Sequence, residues 1–201
     1  MTPFDIARSY IGTTEGPGPA DNPVIMEMYA SVGHNWVEHD SVAWCAAFVG
    51  HCLEKAGIKS TRKLTARSYL DWGIPIEVAD AQQGDIGVIP RGSSSWQGHV
   101  FFIDRIEGQW VWGLGGNQDD AVTIARIAKS RLLGARWPAN YYPPCLQRLP
   151  CQLASPDKPL TRSEVRKRNL PGLFAWRVRG LRLPVAAALR ALAPFGAASA
   201  V

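Results

Sequence analysis

Two residues could together cleave an amide bond: a cysteine and a histidine. Cys45 lies in the first turn of a predicted helix. A thiol there feels the positive end of the helix dipole and unpaired backbone N–H groups, which favour its thiolate. A lone cysteine is more often a small buried hydrophobic residue, so Cys45 by itself does not establish a nucleophile.

His99 opens a predicted strand and follows Gly98, which leaves room for the ring to approach a thiol. An imidazole can take the thiol proton near neutral pH and return it to a departing amine. A single histidine is more often structural. The order of a cysteine on a helix and then a histidine on a strand favours the catalytic interpretation.

A third residue should orient the imidazole, and Asn117 at the end of the following strand is the candidate. The alternative for Asn117 is a turn residue that follows Gly115 and Gly116. The sequence alone leaves both interpretations of Asn117 open.

Helical spacing of apolar residues predicts helices first and strands afterwards. The predicted helices cover about 4–11, 23–29 (capped by Asn22), 43–56 (capped by Asp40 or Ser41) and 65–72. The predicted strands cover 85–89, 99–106, 109–114 and 122–128, and residues 133–138 should close the domain. This order indicates an α+β fold with N-terminal helices packed on an antiparallel β-sheet.

The chain has 201 residues, of which 46% are hydrophobic and 19% charged, enough for one globular domain with a core. Collagen-like, wholly disordered and coiled-coil proteins are excluded. Residues 155–201 carry nine basic and two acidic residues, a net charge of +7, whereas residues 1–154 have a net charge of −2. We therefore expect a domain over 1–140, a Pro-rich linker over 141–160 and a basic, Ala- and Leu-rich C-terminal extension over 161–201.

No pattern of metal ligands is present, and we expect neither a metal nor another cofactor. His34, His39 and Asp40 are close in sequence, but no third histidine or cysteine lies at ligand spacing, which favours a solvated polar loop. Four cysteines are too few for a disulfide scaffold. Cys145 and Cys151 could pair in an oxidising compartment, and the sequence does not decide this.

Five segments together resemble the CHAP family of papain-like cysteine peptidases and amidases of bacteria and phages. They are WCAAFV at 44–49, ARSYLDWG at 66–73, GDI at 84–86, GHV at 98–100 and LGGNQ at 114–118. The resemblance implies a papain-like fold and cleavage of amide bonds in peptidoglycan stem peptides. It also implies Cys45 as nucleophile, His99 as base and Asn117 as orienting residue. One departure is Gly115, because many CHAP enzymes have a glutamate two residues before this asparagine.

The implied reaction is acyl transfer through a thioester on Cys45, with the Cys45 backbone N–H as one oxyanion donor and the second donor unassigned. Trp96, in the loop before His99, and Trp72 are candidate substrate-binding residues. The cleaved bond is left open: an amidase would cut between muramic acid and L-Ala, and an endopeptidase would cut within the peptide.

Peptidoglycan is the expected partner of a monomeric protein, with no nucleic acid. The basic extension could contact anionic membrane lipid, or it could be a solvated tail. The N-terminus lacks the pattern of a Sec signal, so we expect synthesis in the cytoplasm and action on the cell wall after release or delivery. The alternative functions are a non-catalytic cell-wall-binding module and a membrane-associated adaptor.

Overall fold

The computed structural model describes residues 1–138, in which three α-helices precede a β-sheet. The helices are α1 (Pro3–Ser9), α2 (Pro23–Ser31) and α3 (Cys45–Lys55). A 3₁₀ helix, Ala66–Asp71, precedes the first strand, and a second, Lys129–Arg131, precedes the last strand. The strands are β1 (Ile74–Ile76), β2 (Ile86–Pro90), β3 (Gly98–Glu107), β4 (Trp110–Gln118), β5 (Ala121–Ala128) and β6 (Gly134–Trp137).

Local caps start the first two helices, each with a proline in the first turn, where its missing N–H costs no hydrogen bond. Thr2 and Asp5 form a reciprocal capping box at α1, and the side chain of Asn22 accepts the N–H of Val24 at α2. The predicted cap of α2 is therefore confirmed.

The start of α3 differs from the prediction. The helix begins at Cys45 with Trp44 as N-cap and without a side-chain cap. Asp40 instead accepts the backbone N–H groups of Gly16 and Asn22, at 2.7 and 2.8 Å. This carboxylate joins two loops, which a local capping rule could not show.

The six strands form one antiparallel sheet in the order β1-β6-β2-β3-β4-β5. Helix α3 packs between the other helices and one face of the sheet, and all its residues from Cys45 to Leu53 are buried. A smaller apolar cluster containing Phe101, Ile103 and Val111 forms a second core. The predicted α+β class, with helices packed on an antiparallel sheet, is confirmed.

Within residues 1–138, no helix is long and apolar enough to cross a membrane. Cys145, Cys151, the linker and the basic extension lie outside the described residues.

Candidate active site

Cys45 is the first residue of α3, and its position depends on the residue before it. The indole of Trp44 is fully buried and donates to Glu15 Oε1 at 2.8 Å. Gly116 packs against this indole, because a Cβ at position 116 would lie 2.4 Å from a Trp44 ring carbon. The nucleophile candidate is thus held between the N-terminal loop and strand β4.

Cys45 is only 3% exposed. Burial raises the pKa of the thiol, and this effect is larger than the opposing effects of nearby backbone N–H groups and of Arg91. The N–H groups belong to Val100, Ala46 and Cys45 itself. The helix terminus was expected to favour the thiolate. The N–H groups at the helix start do lower the pKa of the thiol, as expected, but burial has the larger effect and the net shift is upward.

His99 lies at the start of β3, immediately before the Val100 backbone that the Cys45 sulfur contacts. Its ring stacks on Phe101, with ring centroids 5.8 Å apart. Burial lowers the pKa of His99, a hydrogen bond from the ring to Gln118 raises it, and the positive charges of Arg91 and Arg131 lower it further. Burial thus shifts the pKa of the thiol upward and that of the imidazole downward, and both residues lie near the start of β3.

Gln118 is the hydrogen-bond partner of the His99 ring. The distance between His99 Nε2 and Gln118 Oε1 is 3.1 Å. The Gln118 amide nitrogen donates to the carbonyl of Thr123 at 2.6 Å, and to the carbonyl of Gly113 at 3.3 Å. These contacts fix which end of the amide faces the ring, so the Gln118 oxygen must accept and His99 Nε2 must carry a proton. In the neutral ring, Nδ1 is then left as the basic nitrogen.

Gly115 provides the space in which this hydrogen bond forms. A Cβ at position 115 would lie 3.0 Å from His99 Nε2 and 3.1 Å from both Cδ and Oε1 of Gln118. Position 115 is the one where the CHAP resemblance expects a glutamate. A side chain at 115 would therefore point at the same ring nitrogen that Gln118 now contacts.

Asn117, the predicted orienting residue, has a different partner. Its amide nitrogen donates to Glu15 Oε1 at 2.8 Å, and it makes no hydrogen bond to His99 within the described part of the chain. The pairing of β4 and β5 shifts register between Gly115 and Gln118, and Asn117 has a φ of 57°. This irregularity ends the simple alternation of side chains and turns Gln118 toward the ring. The prediction for Asn117 does not match this geometry.

The two candidate substrate-binding tryptophans differ in exposure. Trp72 is half-buried, donates to the carbonyl of Lys59 at 3.0 Å and packs edge-on against Tyr69. Trp96 is 65% exposed in the loop between β2 and β3. Only Trp96 presents a large free aromatic surface near the start of β3. Trp36, which lies in no motif of the sequence, is also exposed, in the loop before α3.

The polar residues between α2 and α3 have protein partners. His34 contacts the carbonyl of Arg62 at 3.0 Å, and His39 contacts Asp21 at 3.3 Å. Asp40 is buried on backbone N–H groups, as described above. Residues 1–138 contain no group of three or more potential metal ligands.

His51 lies on α3 but belongs to a separate buried network. Its two ring nitrogens contact Tyr10 Oη and Ser31 Oγ, each at 2.8 Å. Lys55 donates to the Tyr10 hydroxyl, and Ser31 donates to the carbonyl of Met28. Burial is the main reason that the pKa of His51 falls to about 4. The network packs α1, α2 and α3 together.

The fold and site define an α+β protein in which a thiol at a helix start contacts the backbone of Val100, the residue after His99 on an antiparallel sheet. No family model matches the chain, and no curated protein matches it. Among solved structures, the chain is similar to a lipoprotein of the NLP/P60 family from Staphylococcus aureus subsp. aureus Mu50. The two are 19% identical, the TM-score is 0.35, and the match covers 63% of this chain. The chain spans 45% of the length of that protein.

Proposed function

We propose that this protein is a cysteine hydrolase that cleaves amide bonds in the peptide part of peptidoglycan. The observation that carries the proposal is the hydrogen bond between His99 and Gln118. This hydrogen bond selects the His99 tautomer whose Nδ1 is unprotonated. His99 comes directly before Val100, whose backbone the Cys45 sulfur contacts. The substrate class comes from the CHAP resemblance of the five sequence segments.

In this mechanism, the neutral thiol of Cys45 attacks the scissile carbonyl while His99 Nδ1 accepts the thiol proton. The resulting imidazolium keeps its Nε2–H on Gln118. Nδ1–H then protonates the departing amine, and the C–N bond breaks to leave a thioester on Cys45. Water, deprotonated by His99, hydrolyses the thioester and restores the thiol. The backbone N–H of Cys45 is one donor for the oxyanion.

The test is incubation of the full-length protein with intact peptidoglycan sacculi, followed by mass spectrometry of the soluble products. Cys45→Ala is the inactive comparison, and Cys52→Ala, a buried free cysteine on the same helix, is the matched control. We expect fragments from wild type and Cys52→Ala only. Free peptides that begin with L-Ala would identify an amidase, and shortened or uncrosslinked muropeptides would identify an endopeptidase. Fragments from Cys45→Ala, or from none of the proteins on several wall types, would contradict the proposal.

The burial of Cys45 supports a second candidate, a non-catalytic module that binds the cell wall through exposed aromatic residues. A nearly covered thiol with a raised pKa is compatible with a packing role. Trp96 would then be the binding residue. Co-sedimentation with sacculi distinguishes the two functions, since a module binds them without releasing fragments and loses binding in Trp96→Ala.

A further inference from the structure

Two arginines lie beside His99 at the end of β2. Ile89 pairs directly with His99 across the sheet, and Arg91 comes two residues later, at the start of the connecting loop. The Arg131 guanidinium donates to the carbonyl of Pro90 at 3.2 Å, which places it at the same end of β2. The two guanidinium-bearing residues are therefore adjacent to the candidate base.

The loop that carries Arg91 is held in place by contacts with Arg67. Arg67 donates to the carbonyls of Gln97 and Ser94, at 2.7 and 3.1 Å. The backbone of Arg91 also meets the Gln97 carbonyl at 3.5 Å. Gly98 packs against this support, because a Cβ there would lie 3.1 Å from the Arg67 side chain. These contacts give the backbone of Arg91 a defined position.

Neither Arg91 nor Arg131 forms an ion pair with a carboxylate of residues 1–138. Other exposed arginines do: Arg62 pairs with Glu54 at 3.0 Å, and Arg105 pairs with Asp104 at 2.7 Å. The charge of Arg91 nevertheless acts on both Cys45 and His99, lowering the pKa of each, and Arg131 acts on His99. Positive charge that has no carboxylate partner within residues 1–138 therefore acts on both the thiol and the imidazole.

We propose that Arg91, with Arg131 beside it, binds a carboxylate of the substrate, and that the protein selects peptides with a free carboxylate next to the scissile amide. A guanidinium offers paired N–H donors that match a carboxylate, and a charge-assisted hydrogen bond is stronger than a neutral one. This inference rests on the proposed hydrolysis and narrows its substrate class. Replacing the carboxylate by a carboxamide would remove the charge and one acceptor while leaving the peptide otherwise unchanged.

The experiment measures binding without turnover, using the full-length protein with Cys45→Ala. Two synthetic stem peptides are titrated, one with a free carboxylate next to the scissile amide and one with the corresponding carboxamide. We expect the carboxylate peptide to bind about tenfold more tightly, as for one charge-assisted hydrogen bond. Adding Arg91→Gln should reduce the preference to about equal binding, and Arg91→Lys should keep part of it. Arg8→Gln, which removes an exposed charge from α1, is the matched control and should keep the preference.

Equal binding of the two peptides to the Arg91-containing protein would overturn the inference. So would the absence of binding, or a preference that survives in Arg91→Gln. Cleavage of the same peptides by the protein with Cys45 intact is read separately. A carboxylate preference in binding without cleavage of either peptide would contradict the hydrolase function and leave the carboxylate site supported.

Discussion

At the residue scale, the His99 ring has one hydrogen bond within residues 1–138, and the residue that provides it determines which nitrogen can act as base. Gln118 accepts from Nε2 and is itself held by the carbonyls of Thr123 and Gly113. The ring is thus positioned by an amide that cannot turn over without losing its own contacts. Gln118 is a positioning residue in the proposed reaction.

We expect Gln118→Ala to lower kcat about 10²-fold, the order of magnitude of one general acid–base contribution, because the ring loses both its orientation and its tautomer. Gln118→Glu should place a carboxylate on Nε2, raise the pKa of His99 and move the lower limb of the pH–activity profile to higher pH. The measurements are pH–rate profiles on a soluble stem peptide and NMR titration of His99.

Asn117→Ala is the neighbouring control for these variants, because Asn117 contacts Glu15 and not the ring. It should leave the titration of His99 where it is in wild type. A shift in Asn117→Ala together with no shift in Gln118→Glu would show that Asn117, and not Gln118, orients the ring.

At the scale of elements, the buried network of His51 makes the packing of three helices dependent on pH. The pKa of His51 is about 4 in the folded protein, against 6.5 for an ordinary histidine. Between pH 6.5 and pH 4, the unfolded chain binds more protons at His51 than the folded protein does. The contribution of His51 to the free energy of unfolding is therefore fully present above pH 6.5 and is lost as the pH falls toward 4. This pKa difference corresponds to a loss of unfolding free energy on the order of 3 kcal/mol.

Urea unfolding at pH 7.5 and pH 4.5 measures this effect. We expect His51→Gln to be less stable than wild type at pH 7.5, because the contacts to Tyr10 and Ser31 are disturbed. The variant should also lose less stability than wild type on acidification. An unchanged difference between the two pH values would exclude His51 as the titrating group.

The loop between α2 and α3 gives a second prediction at this scale. Asp40→Ala should lower the free energy of unfolding by about 1–3 kcal/mol, because the N–H groups of Gly16 and Asn22 lose their acceptor. Ser41→Ala, the other residue once expected to cap α3, should have little effect, since that helix has no side-chain cap. Chemical denaturation of both variants measures the contrast, and equal effects would contradict the assigned role of Asp40.

Several elements could be predicted from the sequence because their signals are local. Asn22 followed by Pro23 marks the start of α2, and the apolar spacing after Cys45 marks α3. The short strand β1 was missed because three residues give no periodicity. The partner of His99 could not be predicted, because it depends on a register shift between β4 and β5. The burial of the thiol likewise depends on packing between distant segments.

At the scale of the whole molecule, all residues of the candidate site lie within 1–138, and the basic extension contributes none of them. We expect a chain that lacks residues 155–201 to hydrolyse stem peptides at a rate close to that of the full chain, because Cys45, His99 and Gln118 all precede the deleted residues. The same deletion should abolish binding to anionic lipid vesicles, measured by co-sedimentation, because the net charge of +7 is removed. Loss of hydrolysis with retained vesicle binding would reverse these assignments.

The space at Gly115 has a consequence for related sequences. A glutamate at 115 and a glutamine at 118 would compete for the same nitrogen of His99, since a Cβ at 115 already lies 3.1 Å from the Gln118 amide oxygen. In an alignment of homologues, these two positions should therefore covary: chains with an acidic residue at 115 should lack glutamine at 118, and chains with glutamine at 118 should keep glycine at 115. The imidazole would then be oriented from position 115 in some homologues and from position 118 in others, three residues apart on the same strand.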